Sequence, residues 1–208
     1  MRKTLYLKTR HFHRENEMNY KQYVEFLNAI EKLKCNTRHC WTTSGRQESV
    51  AEHSWRLAVM AMLCRDEYLN LDIDKVIKMC LIHDLGEAIT GDIPAFLKTD
   101  AHEAEEENAI VTLLNMLPDG TAAELGELFN EMSAMESDEA RLYKALDNLE
   151  ALIAHNESDI STWLPREYED NLTYGQKNCE FSEWTMGLKK FIKSQSIEKM
   201  EREKSKNG

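Results

Sequence analysis

The sequence predicts an all-α fold built as a single domain. Only 3 Pro and 8 Gly occur among its 208 residues, and both residue types are costly inside helices. Apolar residues recur every three or four positions through most of the chain, which is the period of an amphipathic helix. No stretch rich in Pro, Gly or Ser divides the chain, and its length suits one hydrophobic core. We therefore expect one domain over 1–195, with its core in about 35–155, and a disordered polar tail over 196–208.

The first part of the chain contains one clear helical pattern. Residues 1–17 show no sustained period, and we expect them to form a mobile arm, with a weak metal site at His11 and His13 as the less favoured alternative. The segment 19–34 predicts a helix whose apolar stripe should face the core. The members of this stripe are Tyr20, Tyr23, Val24, Leu27, Ile30 and Leu33. The polar segment 35–48 then predicts a connecting loop, which either binds a ligand or is simply solvated.

The rest of the chain predicts further helices, and several of them begin at a capping residue. They are expected from about Ser49, from Asp72 to the pair His83-Asp84, over 101–117, over 122–135, from Ser137, and over 166–193. Apolar residues on the inward faces of these helices should supply the core. His53 lies on such an inward face, where a hydrogen-bonded core histidine and a metal ligand are both reasonable interpretations.

Charge and cysteine content limit the function and the compartment. The formal net charge is -11, whereas binding to a nucleic-acid polymer depends on clustered Lys and Arg. A small phosphorylated molecule remains possible, because one arginine and a metal suffice for a single phosphate. The five cysteines form no CxxC pair and indicate reduced thiols. With no signal peptide and no apolar run of membrane-spanning length, we expect a cytoplasmic protein without a membrane partner.

The densest group of chemically active residues follows a buried helix. His83, Asp84, Glu87 and Asp92 fall within ten residues, where an unpaired buried carboxylate would be costly and a metal cation would compensate it. Asp147 borders the core on a later helix, and either an exposed flank position or a metal ligand fits that place. Two imidazoles and two carboxylates suit one divalent transition metal, namely Mn, Fe, Co, Ni or Zn.

In their order along the chain, these residues resemble the HD-domain metal-dependent phosphohydrolases. The motifs are Val50-Ala51-Glu52-His53-Ser54, His83-Asp84-x-x-Glu87 followed by Asp92-x-Pro94, and Lys144-Ala145-Leu146-Asp147. They are most similar to the bacterial 5'-deoxynucleotidase subgroup, and the similarity runs from about Arg38 to Ile153. This resemblance implies an HD-domain bundle of about six to eight helices around one metal site, and a homodimer.

The resemblance also implies individual roles. His53, His83, Asp84 and Asp147 match the metal ligands, Glu87 the carboxylate for proton transfer, and Asp92 a second acidic group near the attacking water. The expected substrate contacts are Arg38, which matches the phosphate-binding arginine, together with His39, Trp41 and Asp84. In the subgroup, an aromatic residue follows this arginine directly or shortly beyond it. Here His39 follows Arg38 directly, and Trp41 comes three residues after Arg38.

These roles imply hydrolysis of a nucleoside 5'-monophosphate, with a deoxynucleotide preferred, by water that the metal activates. Two alternatives remain open. The enzyme could hydrolyse another small phosphorylated metabolite, or the chain could be a catalytically silent metal-containing binding module. A purely structural metal site needs no neighbouring proton-transfer carboxylate, so Glu87 and Asp92 favour an enzyme.

Overall fold

The computed structural model describes residues 18–207, and helices dominate it. The expectation for residues 1–17, with His11 and His13, lies outside this range. The helices are α1 (Tyr20–Ile30), α2 (Val50–Leu63), α3 (Ile73–Ile82), α4 (Glu87–Thr90), α5 (Asp100–Leu114), α6 (Asp119–Ala134), α7 (Asp138–Glu157), α8 (Glu167–Thr173), α9 (Gln176–Cys179) and α10 (Glu183–Asn207); the strands are β1 (Thr37–Trp41) and β2 (Gln47–Ser49). The all-α prediction is therefore confirmed, with one small sheet added.

The core lies where α2, α3 and α7 pack together. Apolar side chains from each helix are completely buried there, including Leu57 of α2, Val76 of α3 and Leu146 of α7. The capping residues expected for these helices are present. Ser49 accepts from the Glu52 backbone N–H, and Ser137 accepts from the Ala140 N–H. Helix α7 is central because most of its side chains are buried, so polar residues on it must find partners inside the protein.

The apolar stripe of the first helix is largely exposed, and its assignment to the core is wrong. Helix α1 contains no buried residue, and Tyr20 is 93% exposed. Leu33, in the turn that follows, is buried against Val50 and Leu85. The spacing predicted the helix correctly, and a capping box of Asn19 and Gln22 begins it. Amphipathic spacing shows which residues share a face, and it does not show what covers that face.

The segment expected to be a loop forms an antiparallel hairpin. Strands β1 and β2 pair Thr37 with Ser49 and Trp41 with Gln47, with an irregular register between these pairs. The turn is closed by the Thr42 N–H, which donates to the Arg46 carbonyl at 2.7 Å. The hairpin leads directly into α2 and packs on α7. Its short, polar strands have no regular apolar alternation, which is why the sequence pattern did not indicate them.

The C-terminal region also differs from the sequence prediction. The expected single helix over 166–193 is divided into α8, α9 and α10, and Gly175 between α8 and α9 has φ of +70°. The tail expected to be disordered is helical to Asn207. Ser196 is buried and donates to the Asn156 side chain, and Lys199 donates to the Asn156 carbonyl at 2.9 Å. These polar contacts with the end of α7 anchor a segment whose composition alone predicts disorder.

All five cysteines are free thiols, as the sequence predicts, and Cys40, Cys64, Cys80 and Cys179 are buried. Within residues 18–207, no helix combines the length and the apolar character of a membrane span.

Candidate metal centre and adjoining cavity

Three parts of the fold bring four donor atoms together. His53 lies on α2, His83 and Asp84 directly follow α3, and Asp147 lies on α7. The Nε2 atom of His53 is 3.2 Å from Nε2 of His83 and 3.1 Å from Oδ1 of Asp147. The Nε2 atom of His83 is 3.0 Å from Oδ2 of Asp84. His83 is 30 residues from His53, and Asp147 is 94 residues from His53, so that the packing of α2, α3 and α7 brings their polar atoms together.

The hydrogen bonds of both imidazoles leave Nε2 available as a ligand atom. His83 Nδ1 lies 2.9 Å from the Cys80 carbonyl, and since a carbonyl oxygen only accepts, Nδ1 must donate. His53 Nδ1 contacts the carboxylate of Glu150 in a short hydrogen bond. Each Nε2 therefore presents a lone pair toward the other donors. Holding one ring nitrogen in this way is how proteins fix the tautomer of a metal-binding histidine.

The donor set fits a divalent transition metal. Its separations of about 3 to 4 Å suit nitrogen and oxygen ligands that each lie roughly 2.0–2.2 Å from one central ion. His53, His83 and Asp84 alone form a group with the geometry of a metal site, and Asp147 lies within reach of both imidazoles. Two imidazoles and two carboxylates are ligand types that such metals accept.

The two carboxylates of the cluster are charged. Burial opposes ionisation of Asp84, but interactions with the neighbouring imidazoles, His83 first and then His53, hold its pKa at about 2. Burial likewise opposes ionisation of Asp147, and the Lys144 ammonium together with the histidines lowers the pKa of its carboxyl well below the usual range. Lys144 Nζ donates to Asp147 Oδ2 at 2.8 Å, which leaves Oδ1 facing the histidines. The cluster is therefore preformed with its anionic ligands ionised.

Glu87 lies beside this cluster, and its carboxyl group is buried. It opens α4 one turn after the pair His83-Asp84, is only 6% exposed, and its Oε2 has no hydrogen-bond partner among residues 18–207. Burial, followed by the negative charges of Asp84 and Asp92, raises the pKa of Glu87 to about 10. Burial also raises the pKa of Asp92. A buried carboxyl group without a partner is costly, so its presence here points to a role in chemistry.

Arg38 connects the metal cluster to a cavity. Its guanidinium donates to Glu48 at 3.1 Å and to Glu150, the partner of His53, at 3.2 Å. Arg38 and Asp92 both line a cavity of about 350 Å³ that opens beside the cluster. This volume lies within the roughly 300–1,000 Å³ that small-molecule sites occupy. An arginine at the boundary between a metal cluster and a cavity can hold an anionic group.

The structure separates the two aromatic positions of the hairpin. His39 lines the cavity, where its Nε2 lies 3.3 Å from Glu167 Oε1 and its ring meets Phe96 edge-on. Trp41 is half-buried at the end of β1 and is not among the residues that line this cavity. Of the expected substrate contacts, the structure thus brings together Arg38, His39 and Asp84 near one site, and it leaves Trp41 outside.

Charged residues whose supporting roles the sequence did not indicate surround the cluster. Glu150 is fully buried and accepts hydrogen bonds from His53, Arg38 and Arg56. Glu48 also faces Arg38, and Lys144 supports Asp147. The position of Glu150, three residues after Asp147 on one helix, was the available signal, because residues at that spacing share a face.

Comparisons with known proteins match the fold and the motifs. A family model described as HD domain matches residues 30–187. The 5'-deoxynucleotidase HDDC2 of Homo sapiens is 36% identical over 152 residues, which are 71% of this chain and 73% of that protein. The 5'-deoxynucleotidase hdd1 of Schizosaccharomyces pombe is 29% identical over 74% of this chain and 86% of its own.

A solved structure agrees with these relatives. The protein from Magnetospirillum magnetotacticum MS-1 described as "predicted metal-dependent phosphohydrolase" has a TM-score of 0.73 and 31% identity, with 86% of this chain and 93% of that chain covered. The resemblance drawn from the motifs and the expectation of an enzyme that needs a divalent metal are therefore confirmed. The chain belongs to the HD domain family.

Proposed function

We propose that the chain is a divalent-metal-dependent 5'-deoxynucleotidase, which releases phosphate from deoxynucleoside 5'-monophosphates. The observation that carries this proposal is the convergence of His53, His83, Asp84 and Asp147 beside an arginine-bordered cavity and beside Glu87, whose Oε2 has no hydrogen-bond partner among residues 18–207. Relatives named 5'-deoxynucleotidase at 29% and 36% identity support the choice of substrate class.

The proposed roles follow from the geometry. His53, His83, Asp84 and Asp147 would hold one metal, whether Mn, Co, Fe, Ni or Zn. Such a metal supplies Lewis-acid activation of the attacking water and neutralises charge on the phosphoryl group. Arg38 binds the phosphoryl oxygens.

Proton transfer falls to the two acidic residues outside the ligand set. As water attacks phosphorus, the bond from phosphorus to the 5' oxygen breaks and that oxygen requires a proton. Glu87, which burial favours in its protonated form, delivers this proton as general acid. Asp92, at the edge of the cavity, orients the water and accepts the proton that the water loses as it attacks. His39 faces the substrate from the cavity wall, whereas we assign no contact to Trp41.

The direct test is phosphate release by metal-stripped protein after separate addition of Mn, Co, Ni, Zn or Mg. A panel of deoxyribo- and ribonucleoside monophosphates should show activity that returns with metal and favours the deoxynucleotides. Activity on other phosphorylated metabolites alone would replace the substrate class. Metal binding without any hydrolysis would support a silent binding module and overturn the proposal.

We also propose that the protein is a cytoplasmic homodimer. Support for the compartment comes from its five free thiols, since oxidising compartments favour disulfides. Support for the dimer comes from the exposed apolar face of α1, where Tyr20, Tyr23 and Val24 are each more than half exposed, because contiguous exposed apolar surface marks interaction sites. Light scattering should give twice the 24.2 kDa mass of one chain, and Tyr23→Glu should reduce the measured mass. A monomeric wild-type protein would contradict the dimer.

A further inference from the structure

The cavity beside Arg38 extends to a part of the chain that the metal cluster does not use. Helix α8 contributes Glu167, Asp170, Asn171 and Thr173 to its wall, and no residue of α8 supplies a donor atom to the cluster. A substrate whose phosphate is bound by Arg38 must place the remainder of its bulk elsewhere. The wall formed by α8 is therefore available to contact the part of the substrate that carries no phosphate.

Among residues 18–207, Asn171 is the one polar side chain on this wall with a buried atom that makes no hydrogen bond. It is only 4% exposed, and its Nδ2 has no hydrogen-bond partner in that range. Other amide side chains close to the core have partners. Asn148 accepts from Asn178 at 2.7 Å, and Asn36 donates to the Glu87 carbonyl at 2.6 Å. A buried donor without an acceptor costs free energy, so an unpartnered amide in a cavity wall indicates an acceptor that arrives with a ligand.

The neighbours of Asn171 in the wall already have partners. Glu167 accepts from the Leu164 N–H at 2.6 Å and faces His39 and His155. The Arg166 guanidinium covers the Phe96 ring at 4.4 Å. Burial, followed by electrostatic interactions with His39 and Arg38, lowers the pKa of His155 to about 4, so that His155 is neutral near pH 7. The wall thus offers flat rings, a neutral imidazole and one free N–H donor, which suits an uncharged planar heterocycle with an acceptor atom.

We propose that Asn171 is a specificity-determining residue whose Nδ2 donates a hydrogen bond to an acceptor atom of the substrate's nucleobase. This inference rests on the proposed function and deepens it. Ring nitrogens and exocyclic carbonyl oxygens of nucleobases are such acceptors. The deoxyribose lies between the phosphate at Arg38 and the base at α8. Asn171 binds the base and takes no part in bond breaking.

The test compares substrates with and without a base. Wild-type protein, Asn171→Leu and Asn171→Asp are assayed with deoxynucleoside monophosphates and with 2-deoxyribose 5-phosphate. Both variants should raise KM about tenfold for at least one nucleotide, the effect of one lost hydrogen bond, and leave the baseless sugar phosphate unchanged. The matched control is Asn108→Leu, because Asn108 is an exposed asparagine on α5 whose amide donates to the Ala104 carbonyl. It should leave every value unchanged.

Thermal unfolding distinguishes a binding role from a structural one. Since Nδ2 of Asn171 makes no hydrogen bond within residues 18–207, Asn171→Leu should not lower the unfolding midpoint. An equal loss on both substrate types, or no loss on any nucleotide, would overturn the inference. If the wild-type protein hydrolyses nothing, the proposed function fails separately. Calorimetric binding of deoxynucleosides then decides: about tenfold weaker binding to Asn171→Leu supports the role of Asn171, and equal or absent binding refutes it.

Discussion

Burying the Glu87 carboxyl group costs free energy in the free protein. Its proposed role in proton transfer can be tested with a side chain that cannot ionise. Glu87→Gln keeps the size of the side chain and cannot deliver a proton. We expect bound metal to stay unchanged while kcat falls by about 10²–10⁴, the usual contribution of a general acid or base. Metal content and single-turnover phosphate release should be measured on the same samples. Full activity in Glu87→Gln would exclude the proposed role.

Glu150 acts through His53, so its replacement should change metal affinity before it changes chemistry. Glu150→Gln weakens the contact that fixes the His53 tautomer, and losses of such supporting contacts typically cost 10–100-fold in metal affinity. Glu157→Gln is the matched control, because Glu157 also pairs with Arg56 but is largely exposed. Competition with a metal-binding dye gives both dissociation constants. Equal affinities in the two variants would show that Glu150 only neutralises the arginines.

His155 should make the protein sensitive to mild acid. Burial, followed by electrostatic interactions with His39 and Arg38, lowers its pKa to about 4, whereas the ordinary value is about 6.5. Between these values the unfolded chain binds more protons than the folded chain, so folding stability falls as the pH falls from 6.5 toward 4. Compared with His155→Asn by denaturant unfolding at pH 7 and 4.5, the wild type should lose roughly 2 kcal/mol more. Parallel losses would contradict this assignment.

At the scale of single residues, the sequence indicated the members of the candidate metal cluster and not the residues around them. His53 and Asp147 could be selected because their residue types match a known order of ligands. Glu150 and Lys144 support those ligands through contacts between helices, and such contacts depend on how the helices pack. Asn171 was also beyond sequence reasoning, since an unmet hydrogen bond becomes visible only when every neighbour is placed.

At the scale of secondary-structure elements, Gly175 sets the geometry of the junction between α8 and α9. Its φ is +70°, and an added Cβ would lie 2.5 Å from Cβ of Asn148 on α7. Gly175→Ala therefore combines backbone strain with a clash and should destabilise the protein by more than about 1 kcal/mol. Gly187→Ala is the control, because Gly187 lies in α10 with open space around it, and it should stabilise by about 0.5–1 kcal/mol. Denaturant unfolding measures both, and equal effects would contradict the packing described.

Elements whose boundaries depend on local chemistry were predicted well from the sequence. The start of α2 is marked by Ser49, which forms the expected cap. Elements that depend on distant contacts were not predicted. The hairpin of β1 and β2 packs on α7, and the end of α10 is anchored by Ser196 and Lys199. In both cases the stabilising partner lies more than 35 residues away in the chain.

At the scale of the whole molecule, the candidate metal centre joins α2 and α3 to α7, which lies much later in the chain. Like charges within the cluster, above all those of Asp84 and Asp147, oppose one another in the free protein. A cation bound between them should relieve this repulsion and hold α2, the end of α3 and α7 together. Ligation that requires the folded state adds its binding free energy to folding stability. The stability of the entire domain should consequently depend on the metal concentration.

This linkage gives a quantitative prediction. At a free metal concentration 100 times the dissociation constant, the free energy of unfolding should rise by about 2.7 kcal/mol. Asp147→Asn should abolish most of the increase, because it removes an anionic ligand candidate. Asp138→Asn, at the exposed start of the same helix where Asp138 pairs with Arg141, should retain it. Denaturant unfolding with and without Mn measures both, and an increase that persists in Asp147→Asn would show that the metal binds elsewhere.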